Sequence, residues 1–399
     1  MRIPWLLSCL FVMPAQAGIQ RFLGMVGKAL DASRSLPRHV PSRGWHDKGS
    51  VGVADHMAYY WYQSSLHFLL FPLLPLSWLF CFCVTVRSYL YRRGWKKTQR
   101  FSAPVIVVGN ITIGGTGKTP LVIWLVEFLK SQGFSPGIVS RGVGGKKHSQ
   151  PYWVSKQDMP VLVGDEALLL AEHTQCPVVI CINRALAVKT LLANSHCDIV
   201  VSDDGLQHYR MGRDVEIALL DGARGLGNRC LLPAGPLRES STRLQTVDFV
   251  VVRGEEGKSE FTMDFEPQEW RRVVEKTLDP AVKPRDDSAS ARDDRKEIHA
   301  VAGIGHPEQF FSMLEKQGYV VRTHVFPDHY VYRAEDFHFG DDLPIVMTEK
   351  DAVKCRGFAD ERFWYVPVTV TVSGGLGEKV VERVRGILSC QRRLASSVF

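Results

Sequence analysis

With 399 residues, of which 45% are hydrophobic and 23% charged, the chain has the composition of a globular protein with about two or three domains. Its 49 Lys and Arg residues against 42 Asp and Glu residues give a net charge of +7, which favours anionic partners without choosing among nucleic acid, acidic lipid and nucleotide. The nine cysteines form no C-x-x-C or paired framework, which argues against disulfides and a zinc site and indicates reduced thiols in a cytoplasmic protein.

Residues 1–56 are interpreted as an extension outside the functional protein. Residues 1–20 imitate a signal peptide, with Arg2, a short apolar stretch and an Ala-Gln-Ala sequence, but export would conflict with the nucleotide site described below, because ATP is cytosolic. Residues 21–56 are polar and aperiodic, which is typical of disorder. We expect the functional protein to begin near Met57, and Met1 is the alternative start.

An apolar segment and a basic segment come next. Residues 68–86 are 19 residues without a charge, which as a helix would span about 28 Å, although Pro72 and Pro75 would kink it. Residues 87–100 contain six Lys and Arg residues with interleaved aromatic residues.

Such basic residues beside an apolar helix stay on the cytoplasmic side and attract anionic headgroups, so the pair of segments predicts a membrane-associated helix. Whether the helix spans the bilayer or lies in its interface is open. A buried core helix followed by a solvated charged stretch is the alternative. We expect no nucleic-acid partner, because the basic residues adjoin an apolar helix and not a groove-reading element.

A glycine-rich stretch, TIGGTGKT, lies between two regular elements. Residues 104–110 predict a buried strand of a parallel sheet, and residues 120–133 predict a helix that ends on glycine. In this context glycines let backbone N–H groups surround phosphate oxygens, the lysine reaches the terminal phosphates and the last threonine ligates Mg²⁺. The predicted ATP-binding residues are Thr112, Ile113, Gly114, Gly115, Thr116, Gly117, Lys118 and Thr119.

This stretch departs from the strict phosphate-loop pattern at one position. Thr112 stands where the pattern has its first glycine, while the G-G-x-G-K-T part is intact. A tight strand-to-helix turn is the structural alternative.

A second predicted strand, residues 199–201, is followed by Asp203 and Asp204. Carboxylates at the carboxyl end of a strand beside a phosphate loop can hold Mg²⁺ directly or through water. We therefore predict that Thr119, Asp203 and Asp204 form the metal site. The alternative is that one of the two aspartates caps the turn before Gly205.

Two further charged positions are ambiguous when each is considered alone. Asp165 and Glu166 follow Gly164 at the start of a helical pattern, where Asp165 is equally well explained as a helix cap. Arg238 lies in a loop rich in glycine and proline, where an arginine can neutralise a transferring phosphoryl group but is more often solvated.

In combination, these stretches resemble the tetraacyldisaccharide 4'-kinases, the lipid A 4'-kinases of Gram-negative bacteria. The resemblance covers most of residues 57–360 in the family's order. The matching sequences include VIVVGNITIGGTGKTP, VGDEALLLA, SDDGLQH, LLPAGPLRE, AGIGHPEQFF, FPDHY and TEKDAVKC. The chain departs from the family at Val143, where the family's SRGYGG has tyrosine.

The resemblance implies ATP-dependent phosphorylation of the 4'-hydroxyl of a tetraacylated glucosamine disaccharide 1-phosphate, at the cytoplasmic face of the bacterial inner membrane. It implies that Asp165 and His329 form a catalytic pair, that Lys118 and Arg238 act on the transferred phosphate, and that Mg²⁺ is required. The implied partners are the lipid substrate and a membrane surface with anionic headgroups. No obligate protein partner is evident.

Strands and helices also alternate in the second half of the chain, with predicted strands at 217–220, 249–252, 300–302, 319–324, 345–348 and 363–368 and predicted helices at 307–317 and 378–388. The predicted fold class is α/β, with a phosphate-loop NTPase-like parallel sheet flanked by helices, a second, smaller α/β domain and an N-terminal membrane-associated helix. In this prediction His329 and Asp165 meet across a cleft between the two α/β domains. The predicted segments are the extension 1–56, the membrane-associated segment 57–100, the kinase core 101–253, a linker or insertion 254–297 and the smaller domain 298–399.

Two functions of other classes are alternatives to this kinase activity. One is a phosphate-loop NTPase that hydrolyses nucleotide to switch a partner. The other is a noncatalytic membrane scaffold that retains a nucleotide-binding fold.

Overall fold

The computed structural model describes residue 57 and residues 59–63, 66–254, 259–274 and 296–396. The predictions for residues 1–56 and for most of the segment 254–297 lie outside the described residues. The chain divides into two compact units: one comprises the described residues as far as Arg87 together with Arg224–Arg243, and the other comprises Ser88–Ala223 and the described residues from Leu244 onward. The predicted domain boundaries stay predictions.

The first unit is built on the apolar segment. A 3-10 helix, Phe68–Leu73, leads into helix α1, Leu74–Arg92. The predicted helix is therefore present but begins as a 3-10 turn, because Pro72 and Pro75 lack the N–H groups that an α-helix needs in its interior. Together Phe68–Arg92 form a helical segment whose most apolar 18-residue stretch has a mean hydropathy of 2.2, and the segment is long and apolar enough to cross a membrane.

A loop from far along the chain belongs to the same unit. Ser77 Oγ of α1 donates to the carbonyl of Leu231 at 2.7 Å, and Trp61 Nε1 donates to the carbonyl of Pro233 at 3.1 Å. The buried Arg238 and Glu239 follow in this loop. The first unit thus combines the apolar helix with the segment LLPAGPLRE.

The second unit contains two sheets. The strands of the described residues are β1 Val105–Gly109, β2 Pro136–Ser140, β3 Tyr152–Trp153, β4 Val178–Ile180, β5 Ile199–Asp203, β6 Val215–Asp221, β7 Phe249–Arg253, β8 Phe261–Pro267, β9 Arg271–Arg272, β10 Lys296–Ala302, β11 Tyr319–Val325, β12 Ile345–Thr348, β13 Phe363–Val366 and β14 Val368–Val372. The helices after α1 are α2 Lys118–Ser131, α3 Pro160–Val163, α4 Asp165–Thr174, α5 Arg184–Asn194, α6 Pro307–Lys316, α7 Glu349–Cys355 and α8 Leu376–Ser396.

The larger sheet has the order β14-β8-β7-β6-β1-β5-β2-β4-β3, and its pairs are parallel except at the two edges. β1 lies in the interior, with Val105 opposite Val200 of β5 and Ile106 opposite Val215 of β6. All five residues of β1 are buried, as expected for a parallel strand covered on both faces. Leu121 and Leu125 of α2 pack against this strand in one core, which fixes the loop between β1 and α2 at the carboxyl end of the sheet.

The smaller sheet has the order β11-β10-β12-β13-β9, in which the first four strands are parallel. The prediction of one strand over residues 363–368 is wrong in extent. The run is divided at Pro367, which has no N–H to donate, so β13 joins the smaller sheet while β14 pairs with β8 in the larger one. The α/β class with a parallel sheet and a second, smaller sheet is confirmed.

Candidate active site

The glycine-rich stretch forms the loop between β1 and α2. Gly117 precedes the helix with φ of +93°, and Gly114 has φ of +111°, both in the left-handed region that favours glycine. A Cβ on Gly117 would lie 2.7 Å from Phe265 Cζ, so this position also requires a small residue. The predicted strand–loop–helix context is therefore present, and the N–H groups of the first turn of α2 are available to an anion.

Lys118 is the first residue of α2 and is held at the loop. Its Nζ donates to Asn110 Oδ1 at 3.3 Å and lies 3.7 Å from Asp204 Oδ1. Asn110 Nδ2 in turn donates to Thr116 Oγ1 at 3.3 Å. Asn110 therefore braces the loop from inside, a role that no sequence motif predicts. Thr119 follows Lys118 in the first turn of the helix.

Asp203 and Asp204 lie at the carboxyl end of β5, next to β1. Asp203 is buried, and burial together with the charges of Glu166 and Asp204 raises the pKa of Asp203 to about 7. Its Oδ2 accepts from Ser140 Oγ at 3.4 Å, whereas Oδ1 is buried without a hydrogen-bond partner among the described residues.

A buried carboxylate oxygen of this kind fits a divalent cation, which prefers oxygen ligands. The described residues contain no cluster of three or more His, Cys, Asp or Glu side chains that could hold a metal by themselves. A magnesium ion at Asp203 and Asp204 would therefore draw its other ligands from Thr119, water and phosphate, as is usual for this cation.

Arg184 stabilises the turn at Asp203 by binding its backbone. Its Nη2 donates to the carbonyl of Asp203 at 3.1 Å, and its Nη1 donates to the carbonyl of Cys181 at 3.3 Å. The side chain is 2% exposed, and burial lowers the pKa of Arg184 to about 10. No motif singles out this residue, because its partners are backbone atoms at the ends of two other strands.

Asp165 and His329 are in contact, as the resemblance predicts. His329 Nδ1 lies 3.0 Å from Asp165 Oδ2 and 3.1 Å from Oδ1. Asp165 is the first residue of α4, where the helix dipole favours its negative charge. His329 has φ of +61°, an uncommon conformation for a residue with a Cβ, and a Cβ on Gly144 of SRGVGG would lie 2.7 Å from His329 Nδ1. The pair borders a cavity of about 50 Å³.

Two lysines of α7 flank this pair. Lys350 Nζ lies 3.9 Å from Asp165 Oδ2, and Lys354 Nζ lies 3.8 Å from the same atom. Burial raises the pKa of Asp165, but Lys350, the hydrogen bond from His329 and Lys354 outweigh burial and hold that pKa below its usual value. Burial lowers the pKa of His329, but its contacts with Asp165 and Asp328 outweigh burial and raise that pKa.

The phosphate loop also contacts the smaller sheet. A Cβ on Gly305, in the loop after β10, would lie 2.8 Å from the backbone N of Gly115. In the same loop His306 Nε2 lies 3.7 Å from Asp221 Oδ2. The smaller sheet therefore forms one wall beside the phosphate loop. The loop after its strand β11 also contains His329, which contacts Asp165.

Arg238 belongs to the first unit, whereas the site residues described above belong to the second. It is 7% exposed, and beside it Arg243 Nε lies 3.4 Å from Glu239 Oε2. The structure thus brings together Asp165 with His329, and Lys118 with Asp204. The predicted role of Arg238 stays a prediction.

Comparison with known proteins gives one consistent result. Residues 69–385 match the family described as LpxK, tetraacyldisaccharide-1-P 4'-kinase. The chain is 47% identical over 322 residues to the tetraacyldisaccharide 4'-kinase of Nitrosococcus oceani, covering 81% of this chain and 92% of that protein. It is 49% identical over 316 residues to the tetraacyldisaccharide 4'-kinase of Coxiella burnetii, covering 78% of this chain and 90% of that protein.

The fold is also similar to a solved structure. A crystal structure of LpxK from Aquifex aeolicus, described as an "apo" form in complex with ATP, superposes with a TM-score of 0.64 at 29% identity and covers 80% of this chain and 99% of that one. The family match extends over both sheets and the phosphate loop. The chain therefore belongs to the tetraacyldisaccharide 4'-kinase family.

Proposed function

We propose that the protein transfers the γ-phosphate of ATP to the 4'-hydroxyl of a tetraacylated glucosamine disaccharide 1-phosphate, a step of lipid A biosynthesis. The observation that carries this proposal is the hydrogen bond between Asp165 and His329 in the same unit as the phosphate loop. A phosphate loop alone would suit many nucleotide-binding proteins. A buried, ionised carboxylate held by a histidine adds the base that an alcohol acceptor requires.

In this mechanism Asp165 accepts the proton of the 4'-hydroxyl as the new P–O bond forms, while the bond from the γ-phosphorus to the bridging oxygen breaks and ADP leaves. A sugar hydroxyl is a poor nucleophile at neutral pH, so a carboxylate positioned to take its proton assists the attack. The lowered pKa keeps Asp165 ionised at neutral pH, at some cost in its strength as a base. His329 orients the carboxylate through Nδ1 and stabilises its charge. The cavity beside the pair gives the acceptor hydroxyl access to the carboxylate.

The phosphate loop supplies binding and charge neutralisation. Backbone N–H groups between Thr112 and Thr119 bind the phosphates, and the Lys118 ammonium neutralises charge on the transferred group. Thr119, Asp203 and Asp204 would hold Mg²⁺, which neutralises phosphate charge when bound. For Arg238 we retain the role that the family resemblance implies, that of a second cation for the transferred phosphate.

The apolar helix supports an acceptor that is a lipid. Phe71, Trp78 and Phe82 are 54%, 67% and 65% exposed, so much of the surface of the first unit is apolar. We infer that this surface binds the cytoplasmic face of the inner membrane, with the basic residues after α1 near anionic headgroups.

The test is acceptor-dependent transfer. The purified chain is incubated with γ-labelled ATP, Mg²⁺ and the disaccharide 1-phosphate in detergent micelles, and label is followed in lipid and in free phosphate. A kinase places label on the lipid and releases little phosphate without the acceptor. Rapid hydrolysis of ATP at the same rate with and without the acceptor would favour the NTPase switch. Undiminished transfer by Lys118→Ala or Asp165→Ala would contradict the proposed site, and His329→Ala is expected to cause a milder loss.

A further inference from the structure

A cluster of charged side chains joins the two halves of the Asp165–His329 site. Lys350, in the first turn of α7, has its Nζ 3.1 Å from Glu166 Oε1 and 3.0 Å from Asp328 Oδ1. Glu166 follows Asp165 in the chain, and Asp328 precedes His329. One ammonium group thus bridges the residue next to the carboxylate and the residue next to the imidazole.

Resting on the proposed function, we propose that Lys350 is a positioning residue of the phosphoryl transfer, which fixes Asp165 and His329 relative to each other through its ion pairs with Glu166 and Asp328. The lysine does not need to touch the acceptor or the nucleotide for this role. Its side chain is 17% exposed, so the ion pairs are screened by solvent less than surface pairs are.

The geometry explains why a bridge is needed here. Asp165 is on α4 of the larger sheet, whereas His329 is on a loop of the smaller sheet, with φ of +61°. A strained loop residue keeps its conformation only where surrounding contacts determine it. The ion pair of Lys350 with Asp328, one residue before His329, supplies such a contact.

Lys350 also sets the charge balance of the pair. The groups that face Asp165 are His329 and Asp328 from the loop, Lys350 and Lys354 from α7, and Glu166 from its own helix. The Lys350 ammonium lowers the pKa of both Asp165 and His329. Removal of its charge therefore raises both values.

The test compares Lys350→Met with Lys350→Arg in the full chain. Lys350→Met is expected to lower kcat roughly 10- to 100-fold, the scale of a misplaced reacting group, with the KM for ATP nearly unchanged. The acidic limb of the pH profile of kcat/KM should move to higher pH. Lys350→Arg keeps the charge and should recover part of the lost kcat.

A matched control is offered by Arg356, just after α7. Its Nη2 donates to Glu172 Oε2 of α4 at 2.9 Å, so it joins the same two helices without contacting Asp165 or His329. Arg356→Gln should keep the kcat and the pH profile of the unsubstituted chain. If Arg356→Gln and Lys350→Met lowered kcat equally, Lys350 would only hold α4 and α7 together, and the proposal would be overturned.

A readout without turnover separates this inference from the proposed function. The imidazole titration of His329, assigned by comparison with His329→Gln, is followed by NMR. Its midpoint should shift in Lys350→Met, upward through the lost ammonium charge or downward where His329 leaves Asp165, and stay unchanged in Arg356→Gln. If the unsubstituted chain fails to phosphorylate the lipid, the proposed function fails whatever the titration shows. If it phosphorylates the lipid while Lys350→Met keeps both kcat and the His329 midpoint, the positioning role fails alone.

Discussion

At the scale of single residues, Lys118 carries the positive charge at the phosphate loop. We expect Lys118→Ala to lower kcat/KM for transfer roughly 10²- to 10³-fold, the cost of removing one preorganised donor to developing charge. Lys189, exposed on α5, is the matched control, and Lys189→Ala should leave transfer unchanged. Steady-state kinetics at saturating acceptor measure both variants. A loss of less than about threefold in Lys118→Ala would contradict its place in the site.

The Asp165–His329 contact makes stability depend on pH. The raised pKa of His329 contributes stability below the ordinary histidine value near 6.5, and this contribution is lost as pH rises through the pKa of the folded state. The lowered pKa of Asp165 contributes stability above its ordinary value near 3.9, which is lost as pH falls through its folded value. The Asp165–His329 interaction therefore stabilises the protein most between about pH 3.9 and pH 6.5.

His329→Gln should accordingly destabilise the protein more at pH 5.5 than at pH 9, by on the order of 1 kcal/mol in the free energy of unfolding. Urea unfolding of both proteins at the two pH values measures the difference. Any cost of the backbone conformation at residue 329 is common to both pH values and cancels. A loss of stability that is equal at the two pH values would contradict a charged contact.

How far the residues of the site can be predicted depends on where their partners lie. Lys118 and Asp203 follow from local patterns, since strand–loop–helix order places them at one sheet edge. His329 considered alone is a loop histidine, and only the family resemblance singles it out. Asn110 and Lys350 lie in stretches that match the family, but their roles, like that of Arg184, could not be predicted, because each acts through partners that only the folded chain brings near.

At the scale of elements, the junction between α3 and α4 fixes the position of Asp165. Gly164 at this junction has φ of +91°, and a Cβ there would lie 2.3 Å from the backbone oxygen of Val143. An alanine would therefore push apart the start of α4 and the SRGVGG loop, and the shift would carry Asp165 away from His329.

Gly164→Ala should lower the free energy of unfolding by more than about 2 kcal/mol and reduce transfer strongly. Gly133→Ala is the control, because Gly133 has φ of +85° and a Cβ added there would meet nothing within 4 Å. The control should cost about 1 kcal/mol, the backbone strain alone, and keep its activity. Chemical denaturation and the transfer assay measure both; equal effects of the two changes would contradict a packing role for Gly164.

Elements with continuous apolar or β-branched runs were predictable. β1, β5, β10, β11, β12 and α6 lie within about two to four residues of the positions expected from periodicity. β2 was not predicted, since Pro136 and Gly137 begin it, and β8 mixes polar and apolar residues at a sheet edge. The division of residues 363–368 between two sheets depends on tertiary pairing, which local pattern does not encode.

At the scale of the whole molecule, the exposed apolar side chains of the first unit should bind lipid. The triple variant Phe71→Ser, Trp78→Ser and Phe82→Ser should reduce binding to vesicles containing phosphatidylglycerol at least about tenfold, since each buried large side chain contributes about 1.5–3 kcal/mol. Trp153→Ser, at the edge of the larger sheet, is the control. Vesicle cosedimentation measures the bound fraction, and undiminished binding by the triple variant would contradict the assigned surface.

The α/β class and the second sheet could be predicted for the whole molecule because strands and helices alternate along the chain. The return of β14 to the larger sheet could not, because antiparallel pairing with β8 joins segments about a hundred residues apart.

If ATP's terminal phosphate passes to one sugar hydroxyl at the Asp165–His329 pair, the reaction requires both that hydroxyl and the Asp165 carboxylate. The most direct measurement compares the disaccharide 1-phosphate with its 4'-deoxy analogue in a single turnover, followed by phosphorus NMR of the extracted lipid. We predict a new phosphomonoester coupled to the 4' proton with the intact acceptor, none with the analogue, and none with Asp165→Asn. A new phosphomonoester on the 4'-deoxy lipid, or only free phosphate with the intact acceptor, would contradict the claim.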